Sequence, residues 1–127
     1  MSADEPGEKL KWSVKNGDVA ECKSLVDTHK LDVNAYLSGG RAPIHYAGDM
    51  GQADVVEYLV SAKADVNKED EHGMTALLCA IYEDHTSTVE ALLKAGASYA
   101  DKKAPDGSSY KEAAESVGAD SIAALLK

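Results

Sequence analysis

The sequence predicts an all-α solenoid of about four helix-turn-helix repeats with hairpin loops, and three observations point there. Gly40-Arg-Ala-Pro-Ile-His-Tyr-Ala47 returns in weaker form, 33 residues on, as Gly73-Met-Thr-Ala-Leu-Leu-Cys-Ala80. Lys30-Leu-Asp-Val-Asn34 returns at the same interval as Lys63-Ala-Asp-Val-Asn67. The apolar set Val56, Leu59 and Val60 likewise returns as Val89, Leu92 and Leu93. A fixed period of this length marks stacked supersecondary units, each of which buries its apolar face only against a neighbour.

The string Gly-x-Ala-Pro-Ile-His-Tyr-Ala at Gly40 to Ala47 resembles the signature of the ankyrin-repeat family, in which a turn leads into a short helix beginning Thr-Pro-Leu-His-x-Ala. Ala42 stands in for the threonine; Thr75 restores it in the next copy, where Ala76 replaces the proline and Leu78 the histidine. The chain of 127 residues has room for about four such units, which the register divides approximately into 10–39, 40–72, 73–106 and 107–127.

Residues 1–9 are polar and carry Pro6 and Gly7, so a flexible tail is expected, with structure beginning near Leu10. Leu10 to Asn16 then reads as the inner helix of a capping repeat and Gly17 as its stop. Val19, Cys22, Leu25 and Val26 follow at helical spacing and mark an outer helix. Gly39 and Gly40 fit a hairpin tip that needs positive φ. In the second repeat Ile44 and Ala47 face inward, Gly51 stops the inner helix, and Val55, Val56, Leu59 and Val60 form the outer stripe. The following tip, Lys68 to Glu71, reads as strongly acidic. The third repeat places Leu77, Ala80 and Ile81 inside, with Asp84 at the helix-stop position, where Asp tolerates left-handed geometry better than most residues. The last repeat closes the stack with Ile122, Leu125 and Leu126 on its outer helix.

Charge and composition exclude several classes. Thirteen basic against 22 acidic side chains give a formal charge of −9, with no basic stripe for a phosphate backbone, so no nucleic-acid partner is expected. No apolar run approaches the roughly 20 residues that span a bilayer, and Met1 to Gly7 lacks the pattern of a signal peptide. A soluble cytoplasmic protein is expected, with the nucleus as an alternative, and no membrane partner. Cys22 and Cys79 lie in different repeats without metal-ligand spacing and read as small core residues, so no metal or cofactor is expected. Like-charged faces repel, which makes a monomer the default.

No nucleophile motif accompanies His45, Asp49 and Glu83, and Gly39-Gly40 lacks the Gly-Lys-Ser/Thr ending of a phosphate loop, so no enzyme is expected. Binding is the expected function. The ankyrin resemblance implies that hairpin tips and inner-helix surfaces share one concave side where partners dock. It projects Lys15 and Asn16, Asp49 and Met50, and Tyr82 and Glu83 toward that groove, with Trp12, Tyr46 and Cys79 in a second column. Trp, Tyr and Met beside carboxylates match the composition of a protein interface. Trp12 is open to either reading, core closure or interface; Tyr46 and Tyr82 are expected to be exposed. His45 is expected to bond the neighbouring turn, as the signature histidine does, and His72 and His85 to be turn residues.

Further strings narrow the resemblance. Trp12 with Val14-Lys-Asn-Gly-Asp18, Gly39-Gly-Arg-x-Pro-x-His-Tyr-Ala47, Gly51-Gln52, Ala80-x-Tyr-Glu-x-His85 and Pro105-Asp-Gly107 are similar to a family of small ankyrin-repeat regulators of actin assembly. That resemblance implies the F-actin capping protein heterodimer as partner, sequestered from filament barbed ends. It also implies a binding surface made of Trp12, Asn16, the Gly39-Gly40-Arg41 tip, Tyr46, Asp49, Met50, Tyr82 and Glu83. The chain departs from that pattern at Ser38, where an acidic residue is expected, at Asp84 and at Tyr110-Lys111. The alternative is a generic ankyrin adaptor or inhibitor of another protein, such as a Rel-type transcription factor or a kinase.

Overall fold

The computed structural model describes residues 5–126. Among these residues the chain forms eight helices and no strand: α1 (Pro6–Asn16), α2 (Val19–His29), α3 (Pro43–Asp49), α4 (Ala53–Ser61), α5 (Ala76–Tyr82), α6 (Thr86–Lys94), α7 (Tyr110–Ser116) and α8 (Asp120–Leu125). Consecutive helices pair as α1·α2, α3·α4, α5·α6 and α7·α8. The odd-numbered helices stack on one another as an inner layer and the even-numbered ones as an outer layer. Each layer is amphipathic, and one continuous core runs between them from Leu10 and Cys22 through Ile44, Leu59, Leu77 and Leu92 to Ile122 and Leu126.

Helix α1 starts at Pro6, four residues before the expected Leu10. Proline suits this position because its missing N–H is one of the donors that a first turn leaves unpaired, so a residue read as tail punctuation opens the helix instead. The remainder of the expected tail, residues 1–4, lies outside the described residues.

The inner helices stop alike. Gly17, Gly51 and Gly118 have φ of 74°, 72° and 74°, and Asp84 takes the same left-handed conformation at 57°. The loops between helix pairs are tied by an asparagine relay. Asn34 Oδ1 accepts from Asp65 N at 2.7 Å while its Nδ2 donates to Lys63 O at 3.1 Å. Asn67 Oδ1 accepts from Ser98 N at 2.8 Å in the next repeat. Each asparagine thus reads the backbone of the following unit, which is why Asp-Val-Asn recurs with the period.

The last repeat departs from the expected register. Leu125 is exposed and Leu126 is buried, reversing the exposure of Leu92 and Leu93 one period earlier. Helix α8 ends at Leu125, and the non-helical φ and ψ of Leu126 (−101°, 69°) turn that side chain inward over the open end of the core. Tyr110 ties the last two units together: it is buried, and its hydroxyl and Thr75 Oγ1 share a 2.8 Å hydrogen bond between the third and fourth units.

Candidate partner-binding face

The inner helices α1, α3 and α5 and the hairpin tips carry the side chains expected to meet a partner, and these sort into two groups. The first is open. Trp12 and Asn16 lie one turn apart on α1, and Met50 caps the end of α3. With Glu8, Lys11 and Lys15 they line a surface cavity of about 330 Å³. Trp12 is 69% exposed and Met50 44%. Trp12 therefore does not close the core; Leu10, Ser13 and Val14 do that from the opposite side of α1. Asn16 Nδ2 donates to Trp12 O at 2.7 Å and Gln52 Nε2 to Lys15 O at 2.9 Å, so the last carbonyls of α1 are satisfied and the helix end is anchored to the second repeat.

The second group is closed on itself. Tyr46, expected to be exposed, is 6% exposed. Its hydroxyl donates to Ser38 O at 2.6 Å, and Lys11 Nζ and Arg41 Cζ each lie 5.1 Å from its ring centroid. The ring has become the post against which the Gly39-Gly40 tip leans, since the tip's own carbonyl is its hydrogen-bond partner. Gly39 and Gly40 have φ of 96° and 73°, and Leu37 and Arg41 pair across them. Arg41 is engaged as well. Its Nη2 donates to Cys79 Sγ at 2.9 Å, Nη1 lies 3.7 Å from Asp49 Oδ2, and Nε lies 3.4 Å from Asp70 Oδ2. Burial alone would lower the guanidinium pKa, but the groups around it, Cys79, Asp49 and Asp70, raise it above its usual value. Asp49 shares its charge with Arg41 and stays partly exposed.

Asp70 was read as part of an acidic tip, yet its side chain is only 3% exposed. Its Oδ1 accepts from His72 N at 2.8 Å and Met74 N at 3.0 Å, folding the hairpin around the carboxylate. Burial opposes ionisation, but the two backbone donors, with His45 and Arg41 nearby, hold Asp70 below the usual carboxylate range. The signal for this role was Asp70-x-x-Gly73, a turn sequence. Glu69 and Glu71 do remain exposed.

His45 bonds the neighbouring turn as expected. Nδ1 accepts from Ala42 N at 3.0 Å, which leaves Nε2–H to donate to Lys68 O at 2.7 Å. Burial pushes its pKa down, against the opposing pull of its hydrogen bonds and of Asp70. His85 caps α6 and its Nε2 lies 2.9 Å from Asp49 O, coupling the third unit to the second. Burial raises both thiols, Cys22 and Cys79, to about 11, so both stay protonated. Among the described residues no group of His, Cys, Asp and Glu side chains could hold a metal ion.

Tyr82 is half-buried and Glu83 exposed at the end of α5, one repeat away from the cavity. Gly48 was not singled out by sequence. A Cβ there would lie 2.6 Å from Ala76 O, so α3 and α5 meet backbone to backbone at this point. The available signal was register: Gly48 occupies the place of Val14 and Ile81 in the neighbouring copies.

Comparison with known proteins agrees with this geometry. A family model described as ankyrin repeats (3 copies) matches residues 10–106. Among curated proteins the chain is 48% identical over 54 residues to myotrophin of Xenopus tropicalis, covering 42% of this chain and 45% of that protein. It is 54% identical over 41 residues to myotrophin of Homo sapiens, 32% of this chain and 34% of that one. It is 34% identical over 85 residues to 26S proteasome non-ATPase regulatory subunit 10 of Dictyostelium discoideum, 66% of this chain and 37% of that protein. The matched stretches span less than half the length of each of these relatives. Among the described residues no helix is long and apolar enough to cross a membrane. With helix pairs stacked in register, the signature histidine bonding the adjacent turn, and the family model covering most of its length, the chain belongs to the ankyrin-repeat family.

Proposed function

We propose that this protein is a non-enzymatic binding module that sequesters the F-actin capping protein heterodimer and so regulates barbed-end capping. The observation that carries the reading is the pairing of two exposed large apolar side chains, Trp12 and Met50, beside the partly exposed Asp49, in a chain that resembles myotrophin. Aromatic and Met anchors supply buried area at an interface, and a carboxylate beside them selects a basic partner surface. Glu69, Glu71 and Glu83 are exposed as well and add to the acidic surface. Arg41 and Tyr46 act in this reading by fixing Asp49 and the Gly39-Gly40 tip.

The test is titration of fluorescent capping protein heterodimer with this protein at low and moderate salt, beside Trp12→Ala and Glu83→Lys, two exposed positions whose replacement leaves the core intact. Saturable binding that weakens with salt and falls at least tenfold in either variant supports the reading. Binding unaffected by both substitutions moves the site elsewhere, and no binding by the natural sequence removes capping protein as the partner. A second reading, an adaptor or inhibitor of another protein such as a Rel-type transcription factor or a kinase, fits the ankyrin-repeat match, which by itself names no partner.

A further inference from the structure

The carboxylate that the proposed docking surface relies on is already in contact with a cation. Asp49 Oδ2 lies 3.7 Å from Arg41 Nη1, and an ion pair closed on itself offers a basic partner little. A second carboxylate on the same guanidinium changes that balance. Arg41 Nε lies 3.4 Å from Asp70 Oδ2, so one cation stands between two anions. The neutral neighbours are Cys79, whose Sγ accepts from Arg41 Nη2 at 2.9 Å, and His45, which faces both Asp70 and Arg41. Neither adds much charge above pH 7, because burial raises the thiol pKa to about 11 and lowers that of the imidazole from 6.5. The cluster therefore carries an excess of negative charge.

Burial decides where that excess is displayed. The Asp70 side chain is 3% exposed and that of Asp49 35%. A buried carboxylate persists only while donors and a counter-ion compensate it, whereas an exposed one is also compensated by water. Asp70 meets this need with the N–H groups of His72 and Met74 on Oδ1 and with Arg41 beside Oδ2. Arg41 Nε is itself buried and makes no hydrogen bond among the described residues, so charge, together with the bond to Cys79, keeps the guanidinium there. From this arrangement we infer that Asp70 is a positioning residue for the docking surface: it holds the Arg41 guanidinium and offsets its charge, and so leaves the Asp49 carboxylate free to meet a basic side chain of the partner. Asp70 touches no partner in this account and acts through Arg41 on Asp49. The inference rests on the binding role proposed above and names the buried residue that sets the charge of the face.

The experiment compares the full chain with Asp70→Asn, which removes the charge but keeps an oxygen for the His72 and Met74 donors; far-ultraviolet circular dichroism checks that the fold is kept. The first readout needs no partner. A crystal structure of Asp70→Asn should show Arg41 swung onto Asp49, at the N–O distance of about 2.7–2.9 Å of a charge-assisted hydrogen bond. A guanidinium that stays where it is overturns the inference. The second readout titrates fluorescent capping protein heterodimer with the natural sequence, Asp70→Asn, Asp49→Asn and the double variant. Asp70→Asn is expected to weaken binding at least threefold and to reduce its salt dependence. In the Asp49→Asn background the same substitution is expected to change binding twofold or less, because both act on one charge of the face. An equal loss in both backgrounds shows that Asp70 supports only its hairpin, and overturns the inference. Because the crystal structure contains no capping protein, the outcomes separate. A swung Arg41 without capping-protein binding leaves the charge arrangement standing for a different basic partner, whereas capping-protein binding with an unmoved Arg41 keeps the function and removes this role.

Discussion

The junction between the second and third repeats and the free end of the first repeat are built from similar residues and behave oppositely. At the junction, aromatic, basic and acidic side chains meet one another: Tyr46 lies under Arg41, Arg41 reaches Cys79, Asp49 and Asp70, and Asp70 folds its own hairpin. At the first repeat Trp12, Lys15 and Met50 line an open cavity with no such closure. Tyr46, Arg41 and Asp70 are taken up by the units beside them, whereas Trp12 lies on the first described helix and Met50 and Glu83 stay exposed within the stack, so the contacts that each side chain finds divide the candidate residues into those that build the face and those that present it.

The sharpest way to break this contrast is His45→Ala, which leaves the buried Ala42 N–H and Lys68 carbonyl without partners. Loss of roughly 2–4 kcal/mol is expected from the unsatisfied groups and the void, read as a lower urea midpoint. Acid probes the same residue. Its pKa is depressed in the folded state from the ordinary 6.5, so between the two values the unfolded chain binds the extra proton. Its contribution is then complete above pH 6.5 and is lost as pH falls through that value toward the folded pKa. The depressed Asp70 acts in the same direction at lower pH, complete above 3.8 and lost as pH falls through its folded pKa. Urea midpoints should fall steadily on acidification, and His45→Ala should flatten the upper part of that curve.

Gly48→Ala comes next. Its Cβ would meet the Ala76 carbonyl, backbone that cannot swing aside, and the α3–α5 contact must open. A cost of about 1–3 kcal/mol is expected in thermal or urea unfolding. Replacing Asp84, whose φ is 57°, by glycine tests strain at the third repeat. Stabilisation of about 0.5–1 kcal/mol is expected, because glycine adopts that conformation without the Cβ penalty. Smallest of all is Trp12→Ala, with a stability change within about 0.5 kcal/mol despite the size of the side chain removed, since most of it is already in water. A large loss there would show that the amino-terminal end is closed like the junction, and the comparison would fail.

Periodicity carried the architecture in the sequence because each repeat faces the same packing problem. Ile44, Leu77 and the valine-leucine stripes solve it the same way, and even Asp84 kept the turn of the glycines around it. Charge carried the class of protein. Which of the polar and aromatic side chains would be left for a partner was not encoded locally. Tyr46 and Arg41 look like interface residues in the chain and become scaffolding once the next hairpin is alongside. Asp70 looks like surface charge and becomes a hairpin's core. Gly48 looks like a weak point in a helix and becomes the place where two backbones meet.

By itself, then, the sequence determined the repeat, its length, the inner and outer helices and the acid-rich surface, since these depend on spacing and composition that each unit carries within itself. The tertiary structure alone decided that Trp12 and Met50 stand open beside two lysines while Arg41, Tyr46 and Asp70 are closed on one another. That division depends on contacts between units 30 or more residues apart, such as Arg41 with Cys79 38 residues away and His85 with Asp49 36 away. No local pattern specifies which of several possible neighbours a long side chain will reach, because that is settled by the distance between stacked layers.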